Sequence, residues 1–321
     1  MHSTTGAQDA NPTPEGLAKV PAGKDHTLTA NGIAVLFAAR LAGAVYSMTW
    51  KGHEFVQALP GNGGSQQSAL AYDLPLGETP EVENPTEAGS WHDGLGKTTS
   101  RWTEAAASDA EMYTKCQMAY FFPPGEIPFS SARRTVARGV GPVSDTWLTK
   151  RVSIGWRGFP NVVNYRLKFE CPSPHWFTQV EVLTGYMPRA FGKMYVVEAG
   201  GRPRALPGGM YVTPAPSTPL PIIVAKTDDV ALGVLAYAAP SNGTYPWSPW
   251  YMIDAQSDTA VGTTVQTPAP MTKWNVVWHG GSQLVTTKRV PASMTFGVAL
   301  VIGSVAQCAG TIAALQRAAA A

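Results

Sequence analysis

The chain has 321 residues, a formal net charge of +2 and 14% charged positions. It carries no run of Lys or Arg, which excludes an electrostatic footprint for nucleic acid or an anionic membrane surface. Its 32 Gly and 27 Pro suit many short strands joined by ordered turns and argue against a helical bundle.

Residues 1–25 are polar and rich in Pro, Gly and Ala, and are expected to form a flexible lead-in. They lack the apolar core of a signal peptide. Strand patterns then recur from residue 26 to the end without a linker or a constant repeat, which predicts one domain over 26–321. The first is Ile33 to Phe37. Ala44 to Trp50 and His53 to Gln57 follow, joined by a Lys51-Gly52 hairpin turn.

From Pro60 to Thr103 periodicity is weak, and a loop of that length inside a domain points to function. Within it, Gly64 to Asp73 reads as a polar strand that presents Gln67 and Tyr72. Strands return at Met112–Tyr120, Thr146–Trp156, Val162–Phe169, Trp176–Leu183 and Lys193–Glu198. Further ones are expected at Ile222–Ala225, Ala231–Tyr237, Val261–Gln266, Trp274–His279, Leu284–Arg289 and Met294–Ile302. The last is too short to span a bilayer, which takes about 20 residues. Ser304 to Ala320 carries Val305, Cys308, Ile312 and Leu315 at helical spacing, with Ser304 as N-cap. The expected fold is therefore all-β, a large antiparallel sandwich with one short C-terminal helix.

Three segments concentrate chemistry. Asn84 to Gly94 packs Glu87, Trp91, His92 and Asp93 into one loop, followed by Lys97 and Arg101. A carboxylate beside an imidazole can serve as acid and base, because each tunes the other. The plainer reading is a loop whose Asn, Thr, Ser and Asp satisfy its own backbone. Around Glu181, strand alternation puts Phe177, Gln179, Glu181 and Leu183 on one face. A carboxylate there either does proton transfer or pairs with an Arg such as Arg166. Tyr245 to Tyr251 holds Trp247 and Trp250 between prolines, a rigid aromatic surface suited to sugar rings or to packing.

The three cysteines, Cys116, Cys171 and Cys308, show no C-x-x-C spacing and read as small buried hydrophobes. No histidine spacing marks a metal site, and no phosphate-loop, dinucleotide or nucleophile-elbow motif occurs. Neither a metal nor a cofactor is expected.

Gly43-Ala-Val-Tyr-Ser-Met-Thr-Trp-Lys-Gly-His-Glu-Phe-Val56 resembles the opening hairpin of galactose-mutarotase-like β-supersandwich proteins. There, too, a glycine leads an alternating strand, a Lys/Asp-Gly turn and a second short strand. The similarity covers about the first quarter of the chain. It implies a supersandwich and a carbohydrate ligand. The epimerase pattern of an Asn-His pair before an aromatic stretch is not found, so the wider superfamily of hydrolases, lyases and binding modules is what the resemblance implies.

The expectation is a secreted or periplasmic carbohydrate-active enzyme, a glycoside hydrolase or polysaccharide lyase. Glu87, His92 and Glu181 would do acid–base work, with Trp91, Arg101, Tyr72, Gln67, Trp247 and Trp250 in binding. The alternative is a non-catalytic carbohydrate-binding or structural sandwich. Oligomeric state is not readable from the sequence.

Overall fold

The computed structural model describes residues 12–57, 65–74, 80–94, 96–128, 131, 133–206, 221–240, 271–281 and 289–320. The expected Val261–Gln266 strand, most of Leu284–Arg289, and Trp247 and Trp250 lie outside the described residues.

In chain order the early strands are β1 (Ala18–Lys19), β2 (His26–Ala30), β3 (Ile33–Phe37), β4 (Val45–Trp50) and β5 (His53–Glu54). Next come β6 (Gln67–Tyr72), β7 (Pro85–Thr86), β8 (Arg101–Ala107) and β9 (Glu111–Tyr120). The long central strands are β10 (Val143–Trp156), β11 (Phe159–Glu170) and β12 (Phe177–Pro188). They are followed by β13 (Lys193–Glu198), β14 (Arg202–Ala205), β15 (Ile222–Thr227) and β16 (Val230–Ala238). β17 (Met271–Gly281), β18 (Ser293–Gly303) and helix α1 (Val305–Ala320) complete the chain.

Among the described residues, fourteen strands form one antiparallel sheet in the order β14-β13-β15-β16-β18-β11-β10-β9-β7-β6-β12-β17, with β8 on β9 and β1 on β8. The sheet curls over its own core. Trp278 of β17 meets Phe296 of β18 edge-on at 5.6 Å, although the two strands stand seven places apart in the sheet order. A second sheet, β2-β3-β4-β5, adds Leu28, Ile33, Val35, Phe37 and Met48 to that core. The Lys51-Gly52 turn has φ of 48° and 76°, the doubly left-handed geometry of a two-residue hairpin.

α1 covers the outer face of β16 and β18 with Cys308, Ala309, Ile312 and Leu315. β18 is consequently buried on both faces, which explains its unbroken apolar run. Ser304 caps the helix reciprocally with Gln307: the Gln307 amide donates to Ser304 Oγ at 3.1 Å, and the Ser304 amide to Gln307 Oε1 at 2.9 Å.

Two expectations change. The lead-in is tied down at its end, because β1 pairs with β8 and Arg151 donates to the Thr13 and Glu15 carbonyls. The strand expected within Gly64–Asp73 forms as β6, but all six of its residues are buried, so Gln67 and Tyr72 are not presented as expected. A strand buried on both faces shows no alternation to read. Among the described residues, no helix is long and apolar enough to cross a membrane.

Candidate functional site

The Asn84–Arg101 loop is largely occupied with itself. Asp93 caps a 3-10 turn, accepting from the Ser90 amide at 2.7 Å and the Thr99 amide at 2.8 Å. Thr98 and Ser100 donate to the Ala88 and Thr86 carbonyls. Glu87 points into the core, where it is fully buried and ion-paired with the equally buried Lys150. It also accepts from the Ser68 amide, and Lys150 donates to the Gly43 carbonyl. Burial pushes the Glu87 carboxyl up, against the pull of Lys150.

His92 lies at the surface with Nε2 2.6 Å from Glu126, whose other oxygen accepts from the Trp91 indole at 3.0 Å. The expected shared cleft of Glu87 and His92 is therefore not formed: one serves the core and the other a surface cluster. Arg101 is exposed at the start of β8, opposite Gln117. Tyr72 is a core residue whose hydroxyl meets Thr146 at 2.7 Å and Cys171 at 2.9 Å. All three cysteines are free and buried, as expected.

Glu181 stands apart from these. Val180, Val182 and Leu183 belong to the core, while Glu181 turns to the outer face of the sheet and stays partly exposed. A β-bulge between Glu181 and Leu183 restores the alternation beyond it. Residues directly paired across strands share a face. Gln179 pairs with His279 and Ala71, Glu181 with Val277 and Ala69, Thr184 with Asn275 and Gln67, and Tyr186 with Lys273. Three adjacent strands thus lay a polar row over a low floor of Ala69, Ala71 and Val277. Val82, from the 3-10 turn Pro80–Glu83, closes one end against Ala71, Leu74 and Phe177.

His279 Nε2 is 3.2 Å from Gln179 Oε1, and its ring stacks on Phe177 at 5.9 Å. As the glutamine oxygen can only accept, Nε2–H is the donor and the lone pair is on Nδ1. Burial lowers the His279 pKa to about 4, so the ring is neutral at physiological pH. Glu181 is its diagonal neighbour, about 7–8 Å away between strands. Burial opposes the charge on Lys273, but Tyr186 and Glu181 outweigh it and hold the ammonium above the ordinary lysine range. Lys273 Nζ lies 5.1 Å from the centre of the Tyr186 ring. Thr184 and Asn275 hydrogen-bond to each other at the next position.

Of the residues expected from sequence, this face brings together Glu181 and Gln67. It adds Gln179, His279, Asn275 and Lys273, which no local motif marks. Arg166 does not partner Glu181; it lies 3.9 Å from Glu111. Glu87 and Glu181 project to opposite faces of the sheet and cannot flank one glycosidic bond. Among the described residues, no cluster of His, Cys, Asp and Glu is arranged to hold a metal.

No family model matches the chain, and no curated protein does. Solved structures similar to it include a candidate aldose 1-epimerase of Escherichia coli K12, at 9% identity and a TM-score of 0.49, covering 88% of this chain and 99% of that one. A galactose mutarotase related enzyme of Lactobacillus acidophilus matches at 9% identity and 0.45, covering 88% and 98%. A galactose mutarotase-like protein of Clostridium acetobutylicum matches at 6% and 0.43, covering 89% and 97%. These belong to the group that the Gly43–Val56 hairpin resembles. At such values they assign no residue of the site.

Proposed function

We propose that the protein is a carbohydrate-active enzyme that moves protons on a sugar bound to the outer face of β6, β12 and β17. The observation that carries this is the placement of Glu181 beside His279 on one polar face floored by Ala69, Ala71 and Val277. A pyranose needs a flat floor and mixed hydrogen-bonding groups; the partly exposed Gln179, Glu181 and His279 present such groups, with the buried Gln67, Asn275 and Thr184 behind them.

His279, kept neutral by burial, takes a proton from the sugar, and Glu181 serves the opposite side of the same ring. Lys273 supplies a fixed positive charge further along the row, suited to a uronate carboxylate or to a developing oxyanion. The acid–base pairing of Glu with His expected from sequence is retained, with His279 in place of His92. Hydrolysis by paired carboxylates finds no support, since Glu87 is on the other face; elimination across a uronate, or exchange at the anomeric centre, suits one carboxylate and one imidazole.

Proton NMR of aldoses, uronates and polyuronates incubated with the enzyme reads both outcomes at once. Anomeric exchange appears as transfer between the two anomeric signals, and elimination as a new vinylic proton. Glu181→Gln and His279→Ala are each expected to lower the rate by about 10²–10⁴-fold. A folded double variant with undiminished turnover would overturn the assignment.

A further inference from the structure

At the end of β6, away from the Glu181 row, a second group of polar side chains is left incomplete. Asp73 follows Tyr72 with φ of 47°, a left-handed backbone that an Asp tolerates better than most residues. This turns its carboxylate back onto the start of β12. Oδ1 accepts from the Trp176 amide at 2.8 Å and the Phe177 amide at 3.1 Å, and Oδ2 lies 2.9 Å from His175 Nδ1. The imidazole lies flat on the Tyr72 ring, with centroids 3.8 Å apart and planes 5° apart. Three bonds to Asp73 and one stacking contact thus fix the ring.

In the neutral ring, Nδ1–H donates to the carboxylate and leaves Nε2 as an acceptor. Nε2 is buried and has no hydrogen-bond partner among the described residues. A buried polar atom left unpaired costs free energy that a ligand's donor would recover. The side chain keeps 9% of its surface exposed, so the ring lies near the protein surface although Nε2 itself is covered. The surroundings are of mixed hydrogen-bonding character. Arg138 donates to the Asp73 carbonyl at 3.1 Å. Burial raises the Glu83 carboxyl, and His175, Arg138 and Asp73 all act on it electrostatically. Burial, with Glu83 and Asp145 nearby, raises the Tyr120 phenol to about 12, which keeps it a donor.

We propose that His175 Nε2 is the anchoring acceptor of a second carbohydrate subsite, at the end of the sheet where β6 meets β12, and takes the hydrogen of a sugar hydroxyl. A hydroxyl gives one hydrogen and accepts others, which suits a fixed acceptor among Arg, Tyr and carboxyl neighbours. The choice of sugar as the ligand class rests on the proposed function; the existence of a ligand-accepting Nε2 does not.

The test is an NMR titration of the full chain, labelled with 15N at histidine, with D-glucose, D-galactose and D-glucuronate. The Nε2 resonance of His175 is assigned by its loss in His175→Gln. The expected result is an unprotonated Nε2 in the free protein that shifts saturably with at least one sugar. The same shift is expected in Glu181→Gln, where the chemistry on the other face is disabled, and at least tenfold weaker affinity is expected in Asp73→Asn. A His175 signal unmoved by every sugar, while the wild type still turns sugar over, overturns the subsite and leaves the proposed function standing. A His175 shift without any turnover does the reverse. A protonated Nε2 in the free protein overturns the subsite whatever the variants do.

Discussion

Replacing Lys150 with Met tests whether Glu87 is a structural ion. Both side chains have zero exposure, so Lys150→Met leaves a carboxylate in the core with no cation beside it. Breaking a buried pair from one side costs about 3–5 kcal/mol. With roughly 2 °C lost per kcal/mol in a large domain, the melting temperature should fall by about 6–10 °C. In the double variant Lys150→Met/Glu87→Gln the buried charge is gone, while the glutamine oxygen still accepts from the Ser68 amide. The Gly43 carbonyl has lost its donor in both proteins, so that loss cancels in the comparison. The double variant should therefore be more stable than Lys150→Met alone by a few kcal/mol, read by urea unfolding followed by tryptophan fluorescence. Glu87→Gln should also retain turnover per folded molecule. Strict additivity of the two single changes, or a folded Glu87→Gln protein without activity, would refute the structural assignment.

The remaining expectations concern His279, the helix cap and the core. If His279 accepts the proton, the rate should stay level from pH 7 down to about 5 and fall as pH passes about 4; a midpoint near the ordinary histidine value would refute its role. Stability follows the same group: its folded pKa of about 4 lies below the ordinary 6.5, so the unfolded chain binds the proton first. The contribution is full above 6.5 and is lost as pH falls towards 4, amounting to about 3 kcal/mol, and His279→Gln should flatten that part of the unfolding profile. Ser304→Ala removes one side of the reciprocal cap and should cost about 0.5–2 kcal/mol in urea unfolding. A Cβ at Gly185 would lie 2.3 Å from the Trp274 ring, so Gly185→Ala should destabilise by about 1–3 kcal/mol in the same assay.

Local patterns carried much of the fold into the sequence. Ile33–Phe37 and Lys193–Glu198 form strands with the expected bounds, because each is a short run between turn residues. The Lys51-Gly52 turn and the Ser304 cap are equally local, each needing only a few neighbouring residues. What the sequence withheld was pairing at a distance. Gln179 meets His279, His175 meets Asp73, and Glu87 meets Lys150 across separations of 100, 102 and 63 residues. The density of ionisable groups around His92 was visible, but not that Ser90, Asp93, Thr98 and Ser100 spend their hydrogen bonds on the loop and on the adjoining end of β9.

Strand parity decides what each glutamate does. Glu87 follows β7 on the inward side, next to Ser68, and needs Lys150 to be tolerated there. Glu181 sits two strands further along, on β12 opposite Ala69, and faces outward because Val180 and Val182 take the core positions around it. A shift of one residue would exchange these environments, since every side chain on a strand changes face with it. Composition cannot separate two such glutamates. The residues flanking Glu181 can: a carboxylate between two fully buried valines is excluded from the core that they fill. The bulge after it then returns Thr184 and Tyr186 to the outer face, opposite Asn275 and Lys273. Without that extra residue, β12 would present Leu183 rather than Thr184 beside the polar groups of β17. The continuity of the polar row therefore depends on an irregularity in the strand.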